Sequence, residues 1–167
     1  MGNTQTRNLI LLKEKLTALI EDEENWLANL ANSAALLYNE LDNVNWAGYY
    51  LLDKKREVLT VGPFQGLPAC SRIIVGNGVC GTSVLKKKTI VVDDVKEFPN
   101  HVVCDPASRS EIVVPIKYEG EIIGVLDVDS PRKGRFGIQE EEYLKEFVDI
   151  LVKNTDFSSL VDRKRKK

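Results

Sequence analysis

Between Ile112 and Val128 the chain spells out a β-hairpin. Two apolar runs, Ile112 to Tyr118 and Glu121 to Val128, meet at Glu119-Gly120, a pair that a tight turn accommodates. A hairpin is antiparallel by construction, and the segments around it repeat the theme. Strand-like runs stand at Trp46 to Leu52 and Glu57 to Phe64, joined by the polar turn Asp53-Lys54-Lys55-Arg56. Shorter ones stand at Arg72 to Val75 and Thr89 to Val92, with a short helix at Val79 to Lys86 between them and an irregular loop at Phe98 to Arg109. Helical spacing rules the two ends. Leu9, Leu12, Leu16, Leu19 and Ile20 form one apolar stripe, and Trp26, Leu27, Leu30, Ala31, Ala34, Leu37 and Tyr38 form a second after the carboxylates of Glu21 to Glu24. Tyr143, Leu144, Phe147, Val148 and Leu151 form a third, in a helix starting near Gln139. The expected class is α+β, a central mostly antiparallel sheet flanked by N- and C-terminal helices. No repeat or long linker divides the chain, so one domain is expected over residues 1–167, its core at about 9–153.

With 167 residues, 43% hydrophobic, the chain can bury a core without disulfide staples. No apolar run is long enough for a membrane span, and no signal peptide precedes the first helix, so a cytoplasmic location away from membranes is expected. Met1-Gly2 to Thr6 fits the myristoylation pattern, but no second anchoring signal accompanies it, and chance is the better reading. The last five residues, Arg163 to Lys167, are all basic. Without them 18 Lys and Arg face 25 Asp and Glu, and so acidic a body argues against nucleic acid as a partner. The basic tail reads as a solvated terminus.

Three cysteines, at 70, 80 and 104, are an odd number for a chain with no secretory signal; in a reducing compartment they are core filler, metal ligands or redox groups. Cys80, between Val79 and Gly81 on a short helix, is as well explained by packing as by function. Cys70 and Cys104 lie in loops, where thiols are accessible. Zinc would accept Cys70, Cys80, His101 and Cys104, but no C-x-x-C knuckle is present, and redox chemistry ranks above metal binding. His101, the single histidine, precedes Cys104 by three residues as a candidate base and is left outside the core assignment. Gly76-Asn77-Gly78-Val79-Cys80-Gly81 fits the dinucleotide fingerprint, yet an antiparallel hairpin follows it, and its glycines read as turn formers. Glu111, Asp127 and Asp129 put carboxyls on apolar strands, where acids are depleted; they read as a solvated face or as a pocket for an ammonium with a proton donor. Trp46, Tyr49 and Tyr50 offer aromatic walls or core.

Taken together, Asn45-Trp-Ala-Gly-Tyr-Tyr50, Gly62-Pro-Phe-Gln-Gly-Leu-Pro-Ala-Cys70 and Gly76-Asn-Gly-Val-Cys-Gly-Thr82 resemble the GAF-domain free methionine-(R)-sulfoxide reductases. So do Val92-Asp-Asp-Val95, Phe98-Pro-Asn-His-Val-Val-Cys104-Asp, Ser110-Glu-Ile-Val-Val-Pro115 and Gly124-Val-Leu-Asp-Val-Asp-Ser130, over roughly residues 9 to 153. The resemblance departs only in small ways, as at Pro99-Asn100, where Pro-Gly is expected. It implies a single GAF domain that reduces free methionine (R)-sulfoxide, with Cys104 as nucleophile, Cys70 closing a disulfide and Cys80 as the third family cysteine. It implies Glu111, Asp127 and Asp129 as the acidic substrate set and Trp46 and Tyr50 as the aromatic wall. Of the acids, Asp129 is expected to protonate the sulfoxide oxygen, and Glu111 and Asp127 to hold the ammonium. No bound cofactor is implied; thioredoxin, fed indirectly by NADPH, is the expected reductant. The oligomeric state stays open, a homodimer included. The rival is a non-catalytic GAF module that binds a small ligand or reports oxidants.

Register decides whether the acids meet. A strict two-residue Glu119-Gly120 turn puts Ile112 opposite Asp127 and turns Glu111 away from both aspartates. A three-residue loop or a β-bulge restores a common face, and the odd register is expected to set Glu111 opposite Asp127.

Overall fold

The computed structural model describes the backbone of residues 2–161 and the side chains from Leu9 to Val161; the basic tail and the side chains of the myristoylation-like segment lie outside the described residues. Helices α1 (Gly2–Ile20) and α2 (Trp26–Glu40) lead into strands β1 (Trp46–Asp53), β2 (Val58–Gly66) and β3 (Arg72–Ile74). Helix α3 (Gly78–Lys86), strands β4 (Ile90–Val92), β5 (Ser110–Tyr118) and β6 (Glu121–Ser130), and helix α4 (Ile138–Lys153) follow. Every expected element is present, within a few residues at its ends. One detail differs: the acidic run Glu21 to Glu24 links α1 to α2 rather than opening a helix. The cap of α2 is Asn25, whose side chain accepts hydrogen bonds from the amides of Leu27 (2.9 Å) and Ala28 (3.3 Å).

All six strands form one antiparallel sheet in the order β3-β2-β1-β6-β5-β4. Side chains alternate between its faces. Ala47, Tyr49, Ile112, Val114, Ile116, Leu126 and Val128 point toward α1, α2 and α4 and form the larger core with Leu16, Leu30, Leu37, Phe147 and Leu151. Each Val, Leu, Ile or Phe among them, fully buried, contributes about 1.5–3 kcal/mol. The opposite face carries Trp46, Tyr50, Val113 and Val125 toward α3, where Val79, Cys80 and Val84 meet them. This second face is where the strand acids emerge.

The hairpin combines the strict two-residue turn with a β-bulge, and the three-residue loop is not formed. Its turn is the strict two-residue one, with Glu119 at φ 50° and Gly120 at φ 82°, and Tyr118 pairs with Glu121. A bulge then intervenes, for Lys117 pairs with Ile122 but Ile116 pairs with Gly124. The extra residue lies on β6 and shifts the register opposite to the expected direction. Glu111 therefore faces Asp129, not Asp127, and Asp127 faces Val113. The bulge also inverts the alternation of β6, so that Asp127 and Asp129 share the face of Glu111. Gly124, next to the bulge, lets β1 approach β6, since a side chain there would run into the carbonyl oxygen of Tyr50.

Candidate active site

A pocket opens where the α3 face of the sheet meets two loops. Its floor is the carboxyl-bearing ends of β5 and β6, with Glu111 and Asp127 each 6% exposed and Asp129 half-buried. One wall is aromatic: Trp46 stacks on Phe64 (5.2 Å between centroids) and on Tyr50 (5.8 Å). The first turn of α3 brings Cys80, whose Sγ lies 3.9 Å from Glu111 Oε1. The mouth is crossed by a Cys70–Cys104 disulfide, its Cα atoms 5.2 Å apart. All eight residues that the family resemblance assigns thus line this pocket or close it, whereas Tyr49, also considered as a wall, lies in the core on the helical face.

The loops are fixed by identifiable bonds. Tyr50 donates its hydroxyl to the Cys70 carbonyl (3.0 Å). Beyond Cys104, Asn45 Nδ2 donates to Asp105 Oδ2 and to Ser108 Oγ, both at 3.0 Å, tying the second loop to the entrance of β1. The amide of Gly78 donates to the Asn100 carbonyl (3.1 Å), pinning the same loop to the start of α3. Sequence reading passed over Asp105, Ser108 and Asn45, whose roles depend on where an irregular loop travels. It also left His101 aside, and here the structure adds a contact: His101 Nε2 lies 3.7 Å from Glu111 Oε2.

Electrostatics set this pocket apart from an ordinary cleft. Burial raises the pKa of Glu111 well above the usual carboxylate range, and the charge of Asp129 raises it further. Asp127 is raised likewise by burial and then by Glu111, and Asp129 by burial and then by Asp127. Cys80 is pushed up by burial and by the charges of Asp127, Glu111 and Asp129 in that order, so it stays a thiol at neutral pH. Burial lowers His101 from its ordinary value. Two buried polar atoms of the pocket's lining residues, Asp127 Oδ1 and Trp46 Nε1, have no hydrogen-bond partner among the described residues. Buried polar groups are rarely left so, and both are available to a ligand.

Donor atoms of Cys80, Glu111 and Asp127 lie within 4.8 Å of one another, a spacing that suits a cation, be it a metal or an ammonium. The zinc set considered from the sequence is not assembled, because Cys70 and Cys104 are bonded to each other. Nor do the glycines at 76 and 78 cradle a dinucleotide: Gly76 (φ 92°) and Gly78 (φ 60°) turn the chain from β3 into α3.

An antiparallel sheet with a helical layer on one face and a loop-covered ligand pocket on the other defines a GAF domain, and the GAF-domain family model matches residues 19–153. The chain is 48% identical to the free methionine-R-sulfoxide reductase of Escherichia coli, covering 85% of this chain and 85% of that one. It is 37% identical to the enzyme of that name in Saccharomyces cerevisiae, covering 83% of this chain and 81% of the other. The structure of free methionine-R-sulfoxide reductase from Neisseria meningitidis in complex with its substrate superposes with a TM-score of 0.83 at 43% identity, over 86% of this chain and 85% of that chain. The chain belongs to the free methionine-R-sulfoxide reductase family of GAF-domain proteins.

Proposed function

We propose that this protein reduces free L-methionine (R)-sulfoxide to methionine, with Cys104 as the nucleophile and Cys70 as the cysteine that resolves it. The observation that carries the reading is the Cys70–Cys104 disulfide at the mouth of a pocket floored by three carboxyls. A reactive thiol pair stands where an electrophile would enter, and acid groups stand behind it.

The thiolate of Cys104 attacks the sulfoxide sulfur while the oxygen takes a proton. Cleavage of the S–O bond then leaves methionine and a Cys104 sulfenic acid. The Cys70 thiol attacks that sulfur, water departs, and the disulfide forms. A thioredoxin dithiol reopens it by exchange, so electrons arrive without a bound cofactor, in keeping with a cytoplasmic enzyme. The pair Glu111–Asp129, directly opposed on neighbouring strands, supplies the proton, since two carboxyls so placed cannot both ionise. Asp127, with its unpartnered Oδ1, takes the substrate ammonium. Trp46 and Tyr50 flank the methyl group and the chain carbons. Among the described residues no Lys or Arg lines the pocket, so the carboxylate falls to the first turn of α3, whose N-cap Asn77 makes no side-chain capping bond. A peptide-bound methionine lacks both termini that these groups would pair. Cys80, buried and held as a thiol, is the poorest nucleophile of the three.

Rapid-quench assays of the reduced protein test this. Free (R)-sulfoxide is expected to yield one methionine per site without thioredoxin, and the S epimer and a sulfoxide-containing peptide none. Cys104→Ser is expected to abolish the release. Cys70→Ser is expected to keep the first turnover and lose recycling; a recycling defect in Cys80→Ser instead would reassign the resolving role.

A further inference from the structure

The chemistry above needs a proton to leave one place and arrive at another. Cys104 must lose its thiol proton before it attacks, and a carboxyl behind the substrate must give one to the oxygen. Overall no proton is consumed: a sulfoxide and two thiols become a sulfide, a disulfide and water. The proton taken from Cys104 therefore has to be carried to the carboxyls, or the acid is spent after one event.

We propose that His101 is the residue that carries it, accepting the Cys104 proton and returning it to Glu111; the proposal rests on the functional reading above. Three observations support it. His101 Nε2 lies 3.7 Å from Glu111 Oε2, and both side chains are largely covered, 14% and 8% exposed. His101 and Cys104 belong to the same loop, three residues apart, and line the same pocket. The loop is anchored at the peptide that enters the ring's backbone, where His101 N donates to the Phe98 carbonyl (3.3 Å) and the Asn100 carbonyl accepts from Gly78 N. The imidazole is held in place while Cys104, further along, cycles between bonded and free.

The groups facing this pair all leave the imidazole free to accept. Glu111 meets Cys80 from α3, Asp127 and Asp129 from β6, the Tyr50 ring from β1 and His101 from the loop. Burial and then the charge of Asp129 raise Glu111 and favour its protonated form, and burial lowers His101 and favours its neutral form. A structural ion pair would hold both groups charged; here a neutral acid faces a neutral base. In the reaction one ring nitrogen accepts the thiol proton, and the sulfur's electron pair forms the bond to the substrate sulfur. Glu111 protonates the sulfoxide oxygen, which passes as hydroxyl to Cys104 Sγ while the new bond between the sulfurs breaks and leaves its electron pair on the methionine sulfur, and Nε2–H of the imidazolium then donates to the Glu111 carboxylate. Cys104 is oxidised by two electrons, the substrate sulfur is reduced by two, and His101 ends neutral.

Single-turnover methionine release by reduced wild type and His101→Asn, without thioredoxin, tests the relay. For the wild type the rate is expected to rise with pH through a midpoint below 6.5, the ordinary histidine value, as the imidazole becomes neutral. In His101→Asn that limb is expected to vanish and the rate at neutral pH to fall roughly 10²-fold. Substrate affinity and unfolding midpoint should stay near wild type, and imidazole added to the buffer should restore part of the rate. An unchanged rate or pH profile overturns the proposal. So does a loss that imidazole does not rescue, or one that tracks weakened substrate binding, because either marks a merely structural side chain. Wild-type protein that releases no methionine overturns the functional reading as well, whereas a silent substitution overturns the relay alone.

Discussion

Asp127 keeps a carboxyl almost wholly out of water, with one oxygen unpartnered and its pKa raised by burial and by Glu111. A carboxyl raised on folding holds its proton at pH values where the unfolded chain has lost it. Stability then falls as pH climbs from the ordinary carboxylate range toward the raised value, and is least impaired below that range. Substrate-free Asp127→Asn is accordingly expected to melt above wild type at about pH 8 and to match it near pH 4, while losing affinity for the sulfoxide; calorimetry at the two pH values checks the sign. Cys80 makes a second statement at this scale. Its thiol is raised by burial and three acids, so iodoacetamide at neutral pH is expected to label it at least about tenfold more slowly than Cys70 and Cys104 after reduction, read by mass spectrometry. These residues were legible in the sequence because they are out of place: acids in apolar strands and cysteines in polar loops need a reason. The contact between His101 and Glu111 was not, because eight residues of irregular loop and the first residue of β5 lie between them. No spacing rule says where such a path ends.

The decisive element is β6, where a single extra residue sets which face the acids share. The hairpin and the position of its turn could be read from apolar runs punctuated by Gly120, while the number of loop residues stayed open. The bulge could not, since Ile122, Ile123, Gly124 and Val125 look the same to a periodicity argument whether or not one of them is unpaired. What betrays it is steric, the close approach of the Tyr50 carbonyl to Gly124, and that needs β1 in place beside β6. Gly124→Ala is therefore expected to cost about 1–3 kcal/mol, measured by urea unfolding, and to lower turnover as the bulge relaxes and Asp127 and Asp129 shift. The short strands β3 and β4, three residues each, were placed to within a residue at either end, because Ile73, Ile74, Ile90 and Val91 sit between clear turn signals.

Across the whole molecule the disulfide joins loops that arise beside opposite edges of the sheet. Cys70 precedes β3 at one edge, and Cys104 follows β4 at the other, so the bond crosses the α3 face like a strap. Its 34-residue separation is worth about 4 kcal/mol in a chain-entropy account, and reduction is expected to lower the melting temperature accordingly. Under the strap the cavity is about 30 Å³, space for a water molecule or two and far too little for an amino acid. Cys104→Ser, which cannot form the bond, is therefore expected to bind free methionine (R)-sulfoxide at least about tenfold more tightly than oxidised wild type, by isothermal titration. The edges bear on how the protein behaves in a crowded cell. A long bare strand edge invites a second chain to extend the sheet, and a protein whose covering loops are let go in each cycle would offer that invitation repeatedly. Here each edge is a strand of three residues, too short to template another chain. Repeated opening and closing can thus proceed without drawing molecules into aggregates.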